Sequence, residues 1–120
     1  MSLTAHHLYL VAPGGAPDDI RRFYGEALGL EAVRKPDSLA HTPVLWFAIG
    51  TILLHVGHPD QGIVGDGHTA LASPDLGAVR ARLSALGYVA DDNVIPMGYP
   101  RFYVRDPWGN QIEILPEGLP

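Results

Sequence analysis

The chain repeats itself, and the repeat restricts its fold more than any other feature. Ala27-Leu28-Gly29-Leu30 and Ala85-Leu86-Gly87-Tyr88 lie 58 positions apart, each at the end of a segment of helical period. In the first segment Ile20, Phe23, Tyr24, Ala27 and Leu28 fall at i, i+3, i+4, i+7 and i+8. Pro17-Asp18-Asp19 opens it with a proline at the first position and acids in the first turn. In the second, Leu76, Val79, Leu83 and Leu86 form the stripe. Ser73-Pro74-Asp75 opens it, with Ser73 as the cap and Pro74 at the first position. Gly29 and Gly87 are the stops.

The same strand order surrounds each helix. AHHLYLVA (5–12) precedes the first. Glu31–Arg34 and the hairpin PVLWFAI (43–49), TILLHV (51–56) around Gly50 follow it. His68–Ser73 precedes the second. Tyr88–Ala90 follows, then Arg101–Arg105 and Gln111–Leu115 around Asp106-Pro107-Trp108-Gly109-Asn110. An Ala-Leu-Gly echo is common at helix ends. Here it agrees with element order and with two further offsets: His7 to His68 is 61 positions, His55 to Glu113 is 58. The reading is one α+β domain over residues 1–120, made of two βαβββ modules at about 1–58 and 62–118.

Strand alternation then sorts the side chains. Leu8 and Leu10, Ile52, Leu54 and Val56, Thr69 and Leu71, and Ile112 and Ile114 share the faces expected under the helices. The other faces gather His7, His55, His68 and Glu113, together with Trp46, Tyr9, Arg101 and Tyr103. Pseudo-twofold symmetry is expected to bring the four ionisable groups to the centre of a curved sheet. Ionisable groups at four equivalent places are not what a structural core selects, because burying them unpaired is costly or shifts their pKa. Imidazole and carboxylate suit Zn, Ni, Mn, Fe or Co. Tyr9, Trp46 and Tyr103 read as the wall of a ligand pocket, with core filling as the alternative. Arg101 reads as a holder of an anionic or carbonyl group. His6 faces away from His7 and reads as structural. His41 and His58 read as solvated loop residues, and Trp108 as an exposed anchor or dimer contact.

Composition removes several classes. The net charge is −5 and the basic residues are scattered, so nucleic acid is not an expected partner. Cysteine is absent, which excludes disulfides and thiol catalysis and fits a cytoplasmic protein. The start, MSLTAHHLYLVAPGG, has no basic region and only a short apolar run, so neither a signal peptide nor a membrane association is expected.

The residues resemble the vicinal oxygen chelate superfamily, the glyoxalase/bleomycin resistance/dioxygenase family, over nearly the whole chain. Asp106-Pro107-Trp108-Gly109-Asn110-Gln111-Ile112-Glu113-Ile114 is similar to the family's Asp-Pro-x-Gly-Asn-x-Ile-Glu-Leu ending. Phe23-Tyr24 with Leu28-Gly29-Leu30 resembles its first helix. His7-Leu8-Tyr9-Leu10 and His68-Thr69-Ala70-Leu71 resemble its first and fifth strands. The resemblance implies a cupped mixed sheet built from the paired modules, and a homodimer. It puts His7, His68 and Glu113 at the ligand positions of metal-using members. His55 stands where glyoxalase I has a glutamate that serves as a ligand and is implicated in proton transfer. The His-His-Glu set is similar to the metal triad of extradiol dioxygenases and fosfomycin-modifying transferases.

The implied function is a divalent-metal-dependent lyase, isomerase or dioxygenase acting on a small substrate with vicinal oxygens. Glu113 and His55 would be catalytic, and His55 or a metal-bound water would move the proton. The alternative is a metal-free protein that binds a small molecule or antibiotic, as bleomycin-resistance members do.

Overall fold

A computed structural model describes residues 5–65 and 67–119. Residues 1–4, where the N-terminal reading begins, and Asp66 of the 58–67 loop lie outside them. The chain forms two compact units, Met1–Val64 and Gly65–Pro120.

In the first unit β1 (His7–Val11) runs parallel to β4 (Ile52–Gly57). Antiparallel β3 (Val44–Ile49) and β2 (Glu31–Val33) complete a four-stranded sheet of order β1-β4-β3-β2. Gly50 and Thr51 join β3 to β4, with Gly50 at φ 53°, as a two-residue hairpin needs at its first position. The stripe expected in the first helix is the buried face: Ile20, Phe23, Tyr24 and Ala27 are fully buried and Leu28 nearly so. Tyr24 meets Phe47 of β3 with ring centroids 5.9 Å apart. Phe47, Leu54 and Val56 carry this core into the sheet.

The helix itself departs from expectation. α1 (Pro17–Ile20) continues as a π-helix over Arg21–Ala27. Its end closes through Leu28 N–H to Phe23 C=O and Leu30 N–H to Tyr24 C=O. Gly29 at φ 72° supplies the left-handed turn.

In the second unit β5 (His68–Ser73) runs parallel to β7 (Gln111–Pro116), and β6 (Phe102–Arg105) is antiparallel to β7. The order is β5-β7-β6. Val79 and Leu83 of α2 (Leu76–Ala85) are buried, as are Phe102, Val104, Ile112 and Ile114 of the sheet. The helix ends in a Schellman closure, Tyr88 N–H to Leu83 C=O and Gly87 N–H to Ser84 C=O. The equivalent closure in the first unit is one residue wider, as π-type bonding requires.

Two expectations are corrected. Asp75, not Ser73, caps α2: its side chain accepts from Ala78 N–H at 3.0 Å. Ser73 Oγ instead accepts from Asp75 N–H at 3.1 Å, and Pro74 precedes the helix. Tyr88–Ala90 is not a strand. Pairing with β6 is limited to an isolated bridge from Asp91 to Tyr103, because the Asp91 carboxylate turns the chain by accepting from Asn93 N–H. Strand β2 of the first unit thus has no full counterpart in the second.

Candidate functional site

The sequence repeat is reproduced in strand register. Across β1, β4 and β3, Tyr9 pairs with His55 and His55 with Trp46. Across β5, β7 and β6, Ala70 pairs with Glu113 and Glu113 with Tyr103. His7 and His68 stand two residues before Tyr9 and Ala70, on the same faces. Each unit therefore presents one row of polar and aromatic groups on the face opposite its apolar core.

In the first unit this row is a ladder of rings. His55 stacks on Trp46 with centroids 4.4 Å apart and 3° between planes. On its other side it stacks on His7 at 4.1 Å and 15°. His7 Nδ1 lies 2.9 Å from His6 Nδ1, so one of them donates. His6, read from alternation as pointing away, is thus part of the cluster; the His6-His7 doublet just ahead of the strand was the signal for it. His55 Nε2 is buried and has no hydrogen-bond partner among the described residues. Burial first, and then the neighbouring His7 and His6, lower the His55 pKa and favour neutral imidazole. Tyr9 is half exposed and its phenol lies over Gly57. Trp46 also lines a shallow concavity of about 190 Å³ with Arg21, Val33, Lys35 and Phe47.

In the second unit the row is an ion-pair network. Glu113 is 6% exposed. Arg101 Nη1 donates to its Oε2 at 2.9 Å, and His68 Nε2 sits 3.1 Å from its Oε1. The same Arg101 Nη1 donates to the Tyr103 hydroxyl at 3.1 Å, and Nη2 to the Ile95 carbonyl at 2.7 Å. Arg101 Nε is buried without a partner among the described residues. The hydrogen bond to Glu113, then that to Tyr103, holds the Arg101 pKa above its ordinary value, so the guanidinium stays charged. Tyr103 meets the His68 ring edge-on at 5.6 Å. Beside it a concavity of about 280 Å³ is lined by Val89, Asp91, Tyr103, Arg105 and Gln111.

The turn between β6 and β7 sets this register. Asp106 Oδ1 accepts from Trp108 N–H at 3.0 Å and Asn110 N–H at 2.7 Å, and Oδ2 from Asn110 Nδ2 at 2.7 Å. Asp106 and Asn110 are both buried. With the turn fixed, Ile112 and Ile114 go to the core and Glu113 to the opposite face. His41 is exposed and His58 and Trp108 are half-buried, all outside the rows.

Imidazole and carboxylate are donor types that suit a metal. Among the described residues no three His, Asp or Glu side chains are grouped to hold one ion. Both oxygens of Glu113 are engaged, and a cation at Oε2 would face the Arg101 guanidinium. Among the same residues no helix is long and apolar enough to cross a membrane.

The sequence model of the Glyoxalase/Bleomycin resistance protein/Dioxygenase superfamily matches residues 6–114. No curated protein matches the chain. Among solved structures, a glyoxalase family protein from Bacillus anthracis is 29% identical, with 97% of this chain and 96% of that one covered and a TM-score of 0.86. A lactoylglutathione lyase from Agrobacterium tumefaciens is 24% identical, covering 98% and 96%, with a TM-score of 0.73. An antibiotic binding protein from Streptomyces sp. CB03234 is 20% identical, covering 97% and 98%, with a TM-score of 0.72. At these last two identities the likeness shows the fold alone.

Proposed function

Because the chain belongs to the Glyoxalase/Bleomycin resistance protein/Dioxygenase superfamily, we propose that it handles a small polar molecule through His68 and Glu113 without depending on a metal. The observation that carries this reading is the state of Glu113. Its buried carboxylate already has a counterion in Arg101 and a hydrogen-bond partner in His68. A carboxylate so engaged orients the imidazole rather than offering free oxygens to a cation. With Nε2 on Glu113, His68 Nδ1 is left without a hydrogen bond among the described residues. That nitrogen can take a proton from a bound molecule and return it. Tyr103, on the ring edge of His68, would line the ligand's path.

This reading gives Arg101 a supporting role, where its sequence position suggested a direct contact to an anionic or carbonyl group. In the first unit Tyr9, Trp46 and His7 would offer flat surfaces to a ligand, and His55 a buried nitrogen. The ligand is a small molecule, and homodimer formation, common in the superfamily, would be compatible with either unit.

One observation favours a second reading. His55 Nε2 is buried, without a hydrogen-bond partner among the described residues, and on an imidazole kept neutral, which is the state a metal ligand needs. On this reading His55 would be a ligand to a divalent ion, and the protein would be an enzyme for substrates with vicinal oxygens.

Metal analysis of protein purified without chelator, paired with a thermal-shift screen of small carbonyl, hydroxy-acid and antibiotic compounds, separates the two. Substoichiometric metal and a ligand shift that survives chelator but fails in His68→Ala support the first. One metal per chain, lost in His55→Ala, overturns it in favour of the second.

A further inference from the structure

Arg101 does more than balance Glu113. Beyond the bridge from Asp91 to Tyr103, the segment between α2 and β6 is fastened at two points. At its start, Asp92 takes a bidentate pair from Arg80, at 3.0 and 2.7 Å, and the Arg80 guanidinium lies 4.5 Å over the Phe102 ring. Near its middle, the Ile95 carbonyl accepts from Arg101 Nη2 at 2.7 Å. Between and beyond these points the segment has little else to hold it. Ile95 is 75% exposed and Met97 56%. Pro96 and Pro100 have no N–H to donate, and Gly98 sits at φ 84°.

The guanidinium at the second point is the same one that holds Glu113. Its Nη1 is on Glu113 Oε2 and its Nη2 on the Ile95 carbonyl, with a side chain only 10% exposed. A planar guanidinium has a fixed fork, so the direction of one arm fixes the other. We propose that Arg101 is a positioning residue that couples residues 93–100 to the Glu113 carboxylate, making this segment a strap held by the same guanidinium that Glu113 holds in place. A ligand that competes with Glu113 for Arg101 would release the strap. A ligand that leaves the pair intact would leave the strap held.

The inference rests on the reading of Glu113 as the partner of Arg101, but its test needs neither ligand nor metal, so the two can fail separately. Backbone ¹⁵N order parameters would be measured at Ile95, Met97 and Gly98 in the wild type, Arg101→Met, Arg101→Lys, Glu113→Gln and Arg80→Met. In the wild type these residues should be near the rigid value of about 0.85, and in Arg101→Met below about 0.6. The decisive variant is Glu113→Gln, which touches no residue of the strap. It should loosen the same three positions, while residues 44–57 of the other unit stay rigid and report that the chain is folded. Arg101→Lys keeps one charge but not the fork, and should hold Glu113 while freeing Ile95. Arg80→Met should loosen Asp92 and Asn93 and leave Ile95 held. If Glu113→Gln leaves Ile95, Met97 and Gly98 as rigid as the wild type while Arg101→Met frees them, Arg101 is a plain tether and the coupling is overturned. If Arg101→Met also leaves them rigid, the strap itself is overturned.

Discussion

The phenol of Tyr9 lies across Gly57: a Cβ at residue 57 would fall on the Tyr9 hydroxyl. Tyr9 pairs with His55 in the sheet, so its side chain leans along β4 by two residues to cover the glycine. Any side chain there would push Tyr9 off the row it shares with His55 and Trp46. Tyr9 is half exposed and can swing away, so the cost is at the low end for overpacking. Gly57→Ala should destabilise by about 1 kcal/mol. In a Tyr9→Ala background the same change should be neutral to within about 0.5 kcal/mol. Urea unfolding of the four proteins of this cycle measures it, and equal costs in both backgrounds would contradict the contact.

The capping of α2 can be decided the same way. Asp75 accepts from Ala78 N–H, whereas Ser73 bonds to the N–H of Asp75, outside the helix. Asp75→Ala should cost about 1 kcal/mol and Ser73→Ala only a few tenths. Chemical denaturation of the two variants gives the order, and a larger loss from Ser73→Ala would restore serine as the cap.

What the sequence made legible was whatever local periodicity controls. The stripe Ile20, Phe23, Tyr24, Ala27, Leu28 is the buried face, and alternation placed Glu113 opposite Ile112 and Ile114. The π-type bonding was hidden, because apolar spacing reports which face is buried and not whether an N–H reaches the fourth or fifth carbonyl back. Tyr88–Ala90 looked like a strand from its residue types, but Asp91 and Asn93 form a turn that the repeat does not contain in its first copy. His6 was placed by strict alternation, which fails ahead of the strand's first residue. The commitment of Arg101 to Glu113 and Ile95 was not legible either, since side-chain hydrogen bonds six and twelve positions away leave no mark on periodicity. Those contacts decide whether Glu113 offers free oxygens or a closed ion pair.

The β6–β7 turn should be the most sensitive point of the second unit. Asp106 is buried and accepts from the backbone N–H groups of Trp108 and Asn110 and from the Asn110 side chain. Removing the carboxylate leaves those donors without an acceptor. Asp106→Ala should destabilise by about 2–4 kcal/mol. It should also disturb the amide resonances of Tyr103 and Glu113 more than those of β5, because the turn sets the β6–β7 register and the β5–β7 pairing is independent of it. Two-dimensional ¹H–¹⁵N spectra together with urea unfolding test both parts.

His55 should give the protein a pH dependence of definite sign. Its pKa is lowered by burial first, then by His7 and His6; Tyr9 and Trp46 complete the groups facing it from β1 and β3. Above about pH 6.5, the unperturbed histidine value, the imidazole is neutral in both folded and unfolded chains and contributes no slope. Below it the unfolded chain takes up a proton that the folded one refuses. Stability is therefore lost as pH falls from about 6.5 towards the folded pKa, and this contribution levels off beneath it. His55→Gln keeps a planar hydrogen-bonding group that does not titrate. Urea midpoints at pH 7.5, 6.5 and 5.5 should fall less steeply in the variant than in the wild type across the two lower values. Parallel curves would mean that the folded protein protonates His55 as readily as the unfolded chain does.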